Sequence, residues 1–327
     1  MKVKKLKIDF STWMNYKRCP RSFFHEYLQG FREEGFSEAL SFGSCLHEGL
    51  EAFHSGGFTC SPPDSLQAEL EVLLDPSEPP TGNTPLDRIK QTYQALKHSK
   101  DLSGVTSPNA KENTMDRYSR EHALWLMFRY IENWQGVDSF KAYEHKGTKM
   151  IEQFVELPVT DKLTFCGTFD GLIQNGKPAL LEHKTAGSLW NFSDKARLSL
   201  QGTGYVALAQ SLGIDVNQVM FNGLKTQWGK TDKTLFNNPP KNFARNIVQV
   251  PSWRIDEWRS MLIQDTNRII EDIEAESFTM TAPEACLAYM KLCKFNDICT
   301  AKPANRQWFL EAKFDKSTWR GFHLETE

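Results

Sequence analysis

Residues 167–185 read Gly167-Thr168-Phe169-Asp170-Gly171-Leu172-Ile173-Gln174-Asn175-Gly176-Lys177-Pro178-Ala179-Leu180-Leu181-Glu182-His183-Lys184-Thr185. An acid ends one apolar strand, a turn follows, and an acid-x-Lys closes a second apolar strand. Glu182 and Lys184 are two apart, so on a strand they share a face. Two carboxylates and an ammonium on one patch can hold a hard divalent cation and activate a water beside it. The same tripeptide could be a solvated cross-charge pair. Its context argues otherwise: Ala179, Leu180 and Leu181 form an apolar run, and a charge at the buried end of such a strand needs a partner or a metal.

The turn constrains the pairing. Asn175-Gly176 suggests a two-residue turn. That register would set Asp170 opposite Leu181 and send its side chain to the wrong face. A three-residue loop or a bulge restores Asp170 opposite Glu182. Pro178 cannot donate to the ladder, which suits an irregular turn. The sequence therefore predicts a loop or bulge of odd parity.

The rest of the chain sets the frame. Its 327 residues are 40% hydrophobic and 24% charged, with net charge −2. This is a soluble globular profile, large enough for one big core or two domains. No apolar run approaches the roughly 20 residues of a membrane helix. The basic N-terminus lacks the apolar stretch and cleavage site of a signal peptide, so a cytoplasmic protein is expected. Contact with nucleic acid would have to come from local basic patches.

Four segments are expected. Residues 1–54 form a helical segment, with Ser11 as N-cap, a break at Cys19-Pro20, and a helix over 40–54 turning Leu46, Leu50 and Phe53 inward. Residues 55–118 are an insertion rich in Gly, Pro and Ser, with short helices near 65–74 and 86–98. Residues 119–250 hold the core. It follows a helix at 116–134 that carries Leu124, Phe128, Ile131 and Trp134. The core comprises strands over 148–184, a helix over Gln201–Leu212, a strand over Val219–Lys225 and a basic loop over 226–245. Residues 251–327 carry a long helix at 253–275 and a cysteine-rich end. The seven cysteines, an odd number, argue against a disulfide framework.

His47, Asp170, Glu182-x-Lys184 and Gln201-xxx-Tyr205, in this order, resemble the PD-(D/E)xK nuclease superfamily. The resemblance is to the RecB-type branch, which includes the AddB nuclease domain, CRISPR-associated adaptation nucleases and phage-encoded relatives. Ser11-xxxx-Tyr16-xx-Cys19-Pro20-Arg21-x-Phe23 is similar to that branch's opening motif, and Phe42-Gly43-xxx-His47 to its Gly-xxx-His helix. Glu152 sits where the branch often has a Glu on the first core strand. The similarity runs from about residue 10 to residue 300.

The resemblance implies a restriction-endonuclease-like α/β fold, with a central mixed sheet flanked by helices. It implies Mg²⁺ or Mn²⁺ on His47, Asp170, Glu182 and the His183 carbonyl. An imidazole among oxygen ligands favours Mn²⁺ somewhat. Lys184 would orient or deprotonate the attacking water and stabilise charge on the pentavalent phosphate. Gln201 and Tyr205 share a helical face. They could touch Lys184 or DNA phosphates, or Tyr205 could simply pack into the sheet. A subset of the branch carries a [4Fe–4S] cluster on one early and three late cysteines. Cys19, Cys293 and Cys299 fit that pattern, and Cys286 departs from it in spacing. A zinc site or ordinary buried thiols are the alternatives.

The expected activity is metal-dependent hydrolysis of DNA, as an exonuclease on linear or single-stranded substrate in recombination, repair or phage DNA processing. No sequence-reading module is apparent. Lys225, Lys230, Lys233, Lys241 and Arg245, among Trp228, Phe236 and Phe243, would contact single strands or duplex ends. No helicase P-loop occurs, so a helicase or recombination partner would be a separate protein. A non-cutting DNA-binding scaffold on the same fold and an RNA nuclease are the alternatives.

Overall fold

The computed structural model describes residues 2–33, 38–55, 118, 120–134, 138, 140–226, 242–281, 283–288 and 291–327. The expected helices at 65–74 and 86–98, and Cys60, Trp228, Lys230, Lys233, Phe236 and Lys241, lie outside these residues. So do the side chains of Leu124 and Phe128.

The main sheet contains β1 (Val3–Asp9), β2 (Ile151–Pro158), β3 (Leu163–Asn175), β4 (Lys177–Ala186), β5 (Gln218–Lys225), β6 (Phe243–Gln249) and β7 (Phe322–Thr326). Its order is β6-β5-β4-β3-β1-β7, with β2 and the short strand Lys141–Ala142 on the other edge of β3. β1 runs parallel to β3 and β4 parallel to β5; the remaining pairs are antiparallel. This is the mixed sheet flanked by helices that was expected.

The helices that position the site are α1 (Phe10–Arg18), α2 (Glu38–His54), α3 (Arg120–Trp134), α4 (Phe192–Arg197), α5 (Leu200–Ser211) and α6 (Ser252–Glu274). α5 is buried from Gly202 to Ala209, as befits a helix apolar on all sides. It lies between the sheet and α6, in a core with Phe165, Phe169, Phe221 and Trp258. α1 is tied to α6 by Trp13 Nε1 donating to Asp265 (2.9 Å) and Tyr16 Oη donating to Asp272 (2.8 Å). A smaller cluster joins Ile173, Ala179 and Leu181 to Phe140 and Met220. Among the described residues, no helix is long and apolar enough to cross a membrane.

Two local expectations change. The cap of α1 is Asp9, whose carboxylate accepts from Thr12 N at 2.7 Å; Ser11 lies two residues further in, already inside the helix. The expected basic loop over 226–245 ends earlier, because Phe243–Gln249 pairs antiparallel with β5 as strand β6. β1, which pairs with the first residues of β3, and β7, which pairs with the outer edge of β1, were not anticipated.

Candidate metal and hydrolytic centre

The centre is built where the sheet forks. β1 pairs with β3 over Leu163–Cys166, and β4 pairs with the same edge over Gly171–Asn175. Between them, Gly167–Asp170 have no ladder partner on that edge among the described residues. The β3–β4 register sets Gly171 against Leu181 and Asn175 against Lys177, with Gly176 at the apex at φ +79°. This is the odd parity expected, and its next step brings Asp170 level with Glu182. There β4 peels away. The freed N–H of His183 donates to Asp170 Oδ2 at 2.5 Å instead of to a backbone carbonyl.

Into the fork project side chains from four elements. α2 supplies His47, whose Nδ1 lies 3.3 Å from Asp170 Oδ1. Gly43, one turn earlier on α2, lets the helix come close: a Cβ there would stand 3.3 Å from Thr185 Oγ1 on β4. β2 supplies Glu152. Ligand atoms of His47, Glu152 and Asp170 lie within 4.8 Å of one another. Glu152 holds φ +50° inside a strand, a left-handed conformation costing about 1–2 kcal/mol for a side-chain-bearing residue.

β4 supplies Glu182 and Lys184. The Lys184 ammonium donates to Glu182 Oε1 (2.5 Å) and to Gln201 Oε1 (2.8 Å). Gln201 Nε2 donates in turn to Tyr205 Oη at 2.9 Å. Gln201 holds Lys184, while the Tyr205 ring packs so tightly on Gly167 that a Cβ there would meet it at 2.7 Å.

The electrostatics are those of a cation site. Burial opposes a charge on His47, but Asp170, Glu152 and Glu182 outweigh it and push its pKa up to about 9. Burial would raise Asp170, yet His47, His183 and Lys184 pull it below the usual carboxylate range. Burial foremost, then the charge of Asp170, raises Glu152. Burial also raises Glu182, to about 7, against the pull of Lys184. For Lys184 burial is overcome by Glu182, and its pKa rises. Glu182 Oε2 is buried and, among the described residues, has no hydrogen-bond partner. An acid-rich pocket with an orphaned carboxylate oxygen and an imidazole fits a divalent cation. His47, Glu152, Asp170 and Glu182 are the side chains that could hold it.

A second polar network backs the site, and it escaped the sequence reading. The His183 ring, kept neutral because burial drives its pKa down to about 3, sits 2.8 Å from Asn222 Nδ2 and stacks on His54 at 5.3 Å. Asn222 also donates to Tyr130 Oη at 3.0 Å. Arg245 closes the network. It was expected on a loop facing DNA; instead its guanidinium is turned inward, its side chain 12% exposed. It pairs with Asp138 through both nitrogens, donates to Tyr130 Oη (2.9 Å) and Asn222 Oδ1 (3.2 Å), and lies 3.5 Å over the Trp134 ring. A side chain so committed has little left for a phosphate. Lys225 ends β5, beside Ala186 of β4. The only sequence signal for the network was the interruption of apolar strands by Asn222 and His183.

Cys19 lies at the N-terminus of the short helix Pro20–Phe23, with Thr281 and the backbone N–H groups of Ser22 and Arg21 acting on its thiol. They outweigh burial and lower its pKa. Cys299 is raised by burial, and Cys19, Cys293 and Arg21 all act on it. Cys293 N donates to Cys286 O at 2.7 Å. Among the described residues, no three of these sulfurs come within 4.8 Å of one another.

Residues 10–300 match the sequence pattern of the PD-(D/E)XK nuclease superfamily. The chain belongs to that superfamily. Its nucleases are metal-dependent phosphodiester hydrolases that act on nucleic acid. A crystal structure of a "putative exonuclease" from Eubacterium rectale is similar at 12% identity over 90% of this chain and 94% of that one, with a TM-score of 0.49. No curated protein sequence matches the chain.

Proposed function

We propose that the protein is a divalent-metal-dependent deoxyribonuclease of the RecB-like branch, an exonuclease acting on single-stranded DNA or duplex ends in recombination, repair or phage DNA processing. The observation that carries this is the meeting of His47, Glu152 and Asp170 within 4.8 Å, beside Glu182 and a Lys184 already held in place. Mg²⁺ or Mn²⁺ bound there would supply a polarised phosphoryl oxygen and an acidified water.

The chain's own residues do the rest. His47, Asp170, Glu182 and the His183 carbonyl would hold the ion, and Glu152 is added to that set. Lys184 has three N–H donors, of which Glu182 and Gln201 take two. The third is free for the attacking water or a non-bridging phosphate oxygen. Because Glu182 favours the charged ammonium, Lys184 serves to orient and to stabilise charge rather than to abstract a proton. Gln201 and Tyr205 keep it there. Lys225, with Lys230, Lys233 and Lys241, would contact the DNA backbone.

A [4Fe–4S] cluster on Cys19, Cys286, Cys293 and Cys299 belongs to the same reading. It is supported by the N–H groups converging on Cys19 and by the electrostatic contact of Cys19, Cys293 and Cys299. Cubane ligands sit on different irons and stand wider apart than ligands of one ion. The cluster would tie the two ends of the chain together.

The test is degradation of 5′- and 3′-labelled linear and circular DNA with Mn²⁺, using wild type and Lys184→Ala. Cutting by wild type alone, sparing circles, supports the proposal. Cutting of RNA but not DNA would make it a ribonuclease. Metal binding without cutting of either would leave a binding scaffold.

A further inference from the structure

Six residues beyond Lys184 stands Trp190, 93% exposed. A tryptophan displayed so fully gives up its whole hydrophobic contribution to folding. The segment carrying it is not loose. Phe192, on one side of Trp190, is buried. A Cβ on Gly223 would meet the Phe192 ring at 2.7 Å and Leu189 at 3.0 Å, so both side chains are seated over Gly223. Gly223 is the β5 residue paired with Lys184. Trp190 N is capped by Ser188 Oγ at 3.3 Å, and Phe192 N donates to Leu189 O at 3.1 Å. Two anchors beside the hydrolytic lysine thus hold an indole out into solvent, within roughly 20 Å of it by chain length. Lys195 and Arg197 follow on the exposed face of α4.

We propose that Trp190 is a stacking platform for a base of the substrate strand next to the scissile phosphate. The inference rests on the nucleic-acid-cutting reading above. An indole stacks on any base, whatever the sequence, and cations beside it suit the backbone. A protein partner would instead call for a contiguous apolar patch around the anchor. The immediate neighbours Ser188, Asn191, Ser193 and Asp194 are polar and exposed, which suits a single ring reading a single base.

The test uses the full chain as wild type, Trp190→Ala and Trp190→Phe, with oligonucleotides carrying one 2-aminopurine moved along the strand. Binding is read in EDTA, where nothing is cut. The expected result is quenching at one position by wild type, loss in Trp190→Ala with about tenfold weaker binding, and recovery in Trp190→Phe. With Mn²⁺, KM should rise by a similar factor at unchanged kcat, and Tm should not move. Equal quenching and affinity in Trp190→Ala overturn the proposal even if the enzyme cuts. So does failure of wild type to bind any oligonucleotide. So does a dimer in sedimentation that Trp190→Ala dissolves while oligonucleotide binding is unchanged. Trp190-dependent quenching by a protein that cuts nothing would uphold the platform and remove the catalytic reading.

Discussion

Replacing Lys184 by methionine removes one charge and keeps an unbranched stem of similar length, so packing changes little. Glu182, its side chain 3% exposed, loses its ion pair on Oε1 while Oε2 already has no partner. The carboxylate can escape only by taking a proton. Its pKa in the folded, metal-free protein is already raised from 4.5 to about 7. The folded state therefore binds this proton more tightly than the unfolded chain. Metal-free stability falls as pH rises through the unfolded value and levels off near the folded one. The charge and hydrogen bond of Lys184 both hold that folded pKa down, so in Lys184→Met the decline continues above neutrality. At about 1.36 kcal/mol per pH unit, the variant should fall behind wild type by about 2 kcal/mol more at a pH near 8.5 than at one near 5.5. Urea unfolding in EDTA at the two pH values measures this. Added Mn²⁺ should close the gap by restoring a cation beside Glu182. A gap of the same size at both pH values would show that Glu182 is not the group responding, and the reasoning would fail.

Calorimetric titration with Mn²⁺ near pH 7 in buffers of different ionisation enthalpy should reveal release of more than one proton, because His47 and Glu152 hold protons there that the metal must displace; affinity should rise with pH, and Asp170→Asn should abolish binding. Gly167→Ala drives a methyl into the Tyr205 ring and should cost about 1–3 kcal/mol in unfolding free energy, with a fall in kcat as Gln201 and Lys184 shift. Arg245→Met leaves Asp138 unpaired, its side chain 13% exposed; chemical denaturation should show a loss on the order of 3 kcal/mol. Protein purified without oxygen should contain iron and be coloured, and Cys299→Ser should lose both iron and colour, read by metal analysis and visible absorption.

The candidate centre was legible because its residues are close in the chain. Asp170, Glu182 and Lys184 fall on one hairpin, where a period of two and the parity of a turn decide who faces whom. Gln201 and Tyr205 are one helical turn apart, so their shared face could be read directly. What lay beyond the sequence was set by contacts far apart in the chain. Arg245 looked like a DNA contact because a cation among aromatics reads the same whether they face solvent or a buried carboxylate. Its partner Asp138 is 107 residues away, and no period links the two. β1 was hidden for a related reason. Its run of lysines reads as a solvated tail, yet Leu6 and Ile8 are buried against the core while the lysines stay outside or half-outside.

The fork in the sheet explains why the centre sits where it does. A continuous ladder between β3 and β4 would pair the backbone of Phe169 with that of His183 and leave no room between the strands. By parting there, the sheet frees one N–H, and the Asp170 carboxylate accepts it. That single hydrogen bond fixes the carboxylate's plane and leaves its other oxygen toward His47. On the far edge of β3, Glu152 takes a left-handed backbone opposite the same residue, where an extended one would have continued the ladder. Two departures from regular pairing, one on each side of Asp170, thus bring an imidazole and three carboxylates into a space that regular strands would have filled. His47 and Lys184 supply positive charge beside those carboxylates through their pairs with Asp170 and Glu182. A divalent cation held by these residues would take the place of the His47 proton, while Lys184 would stay where Glu182 and Gln201 hold it.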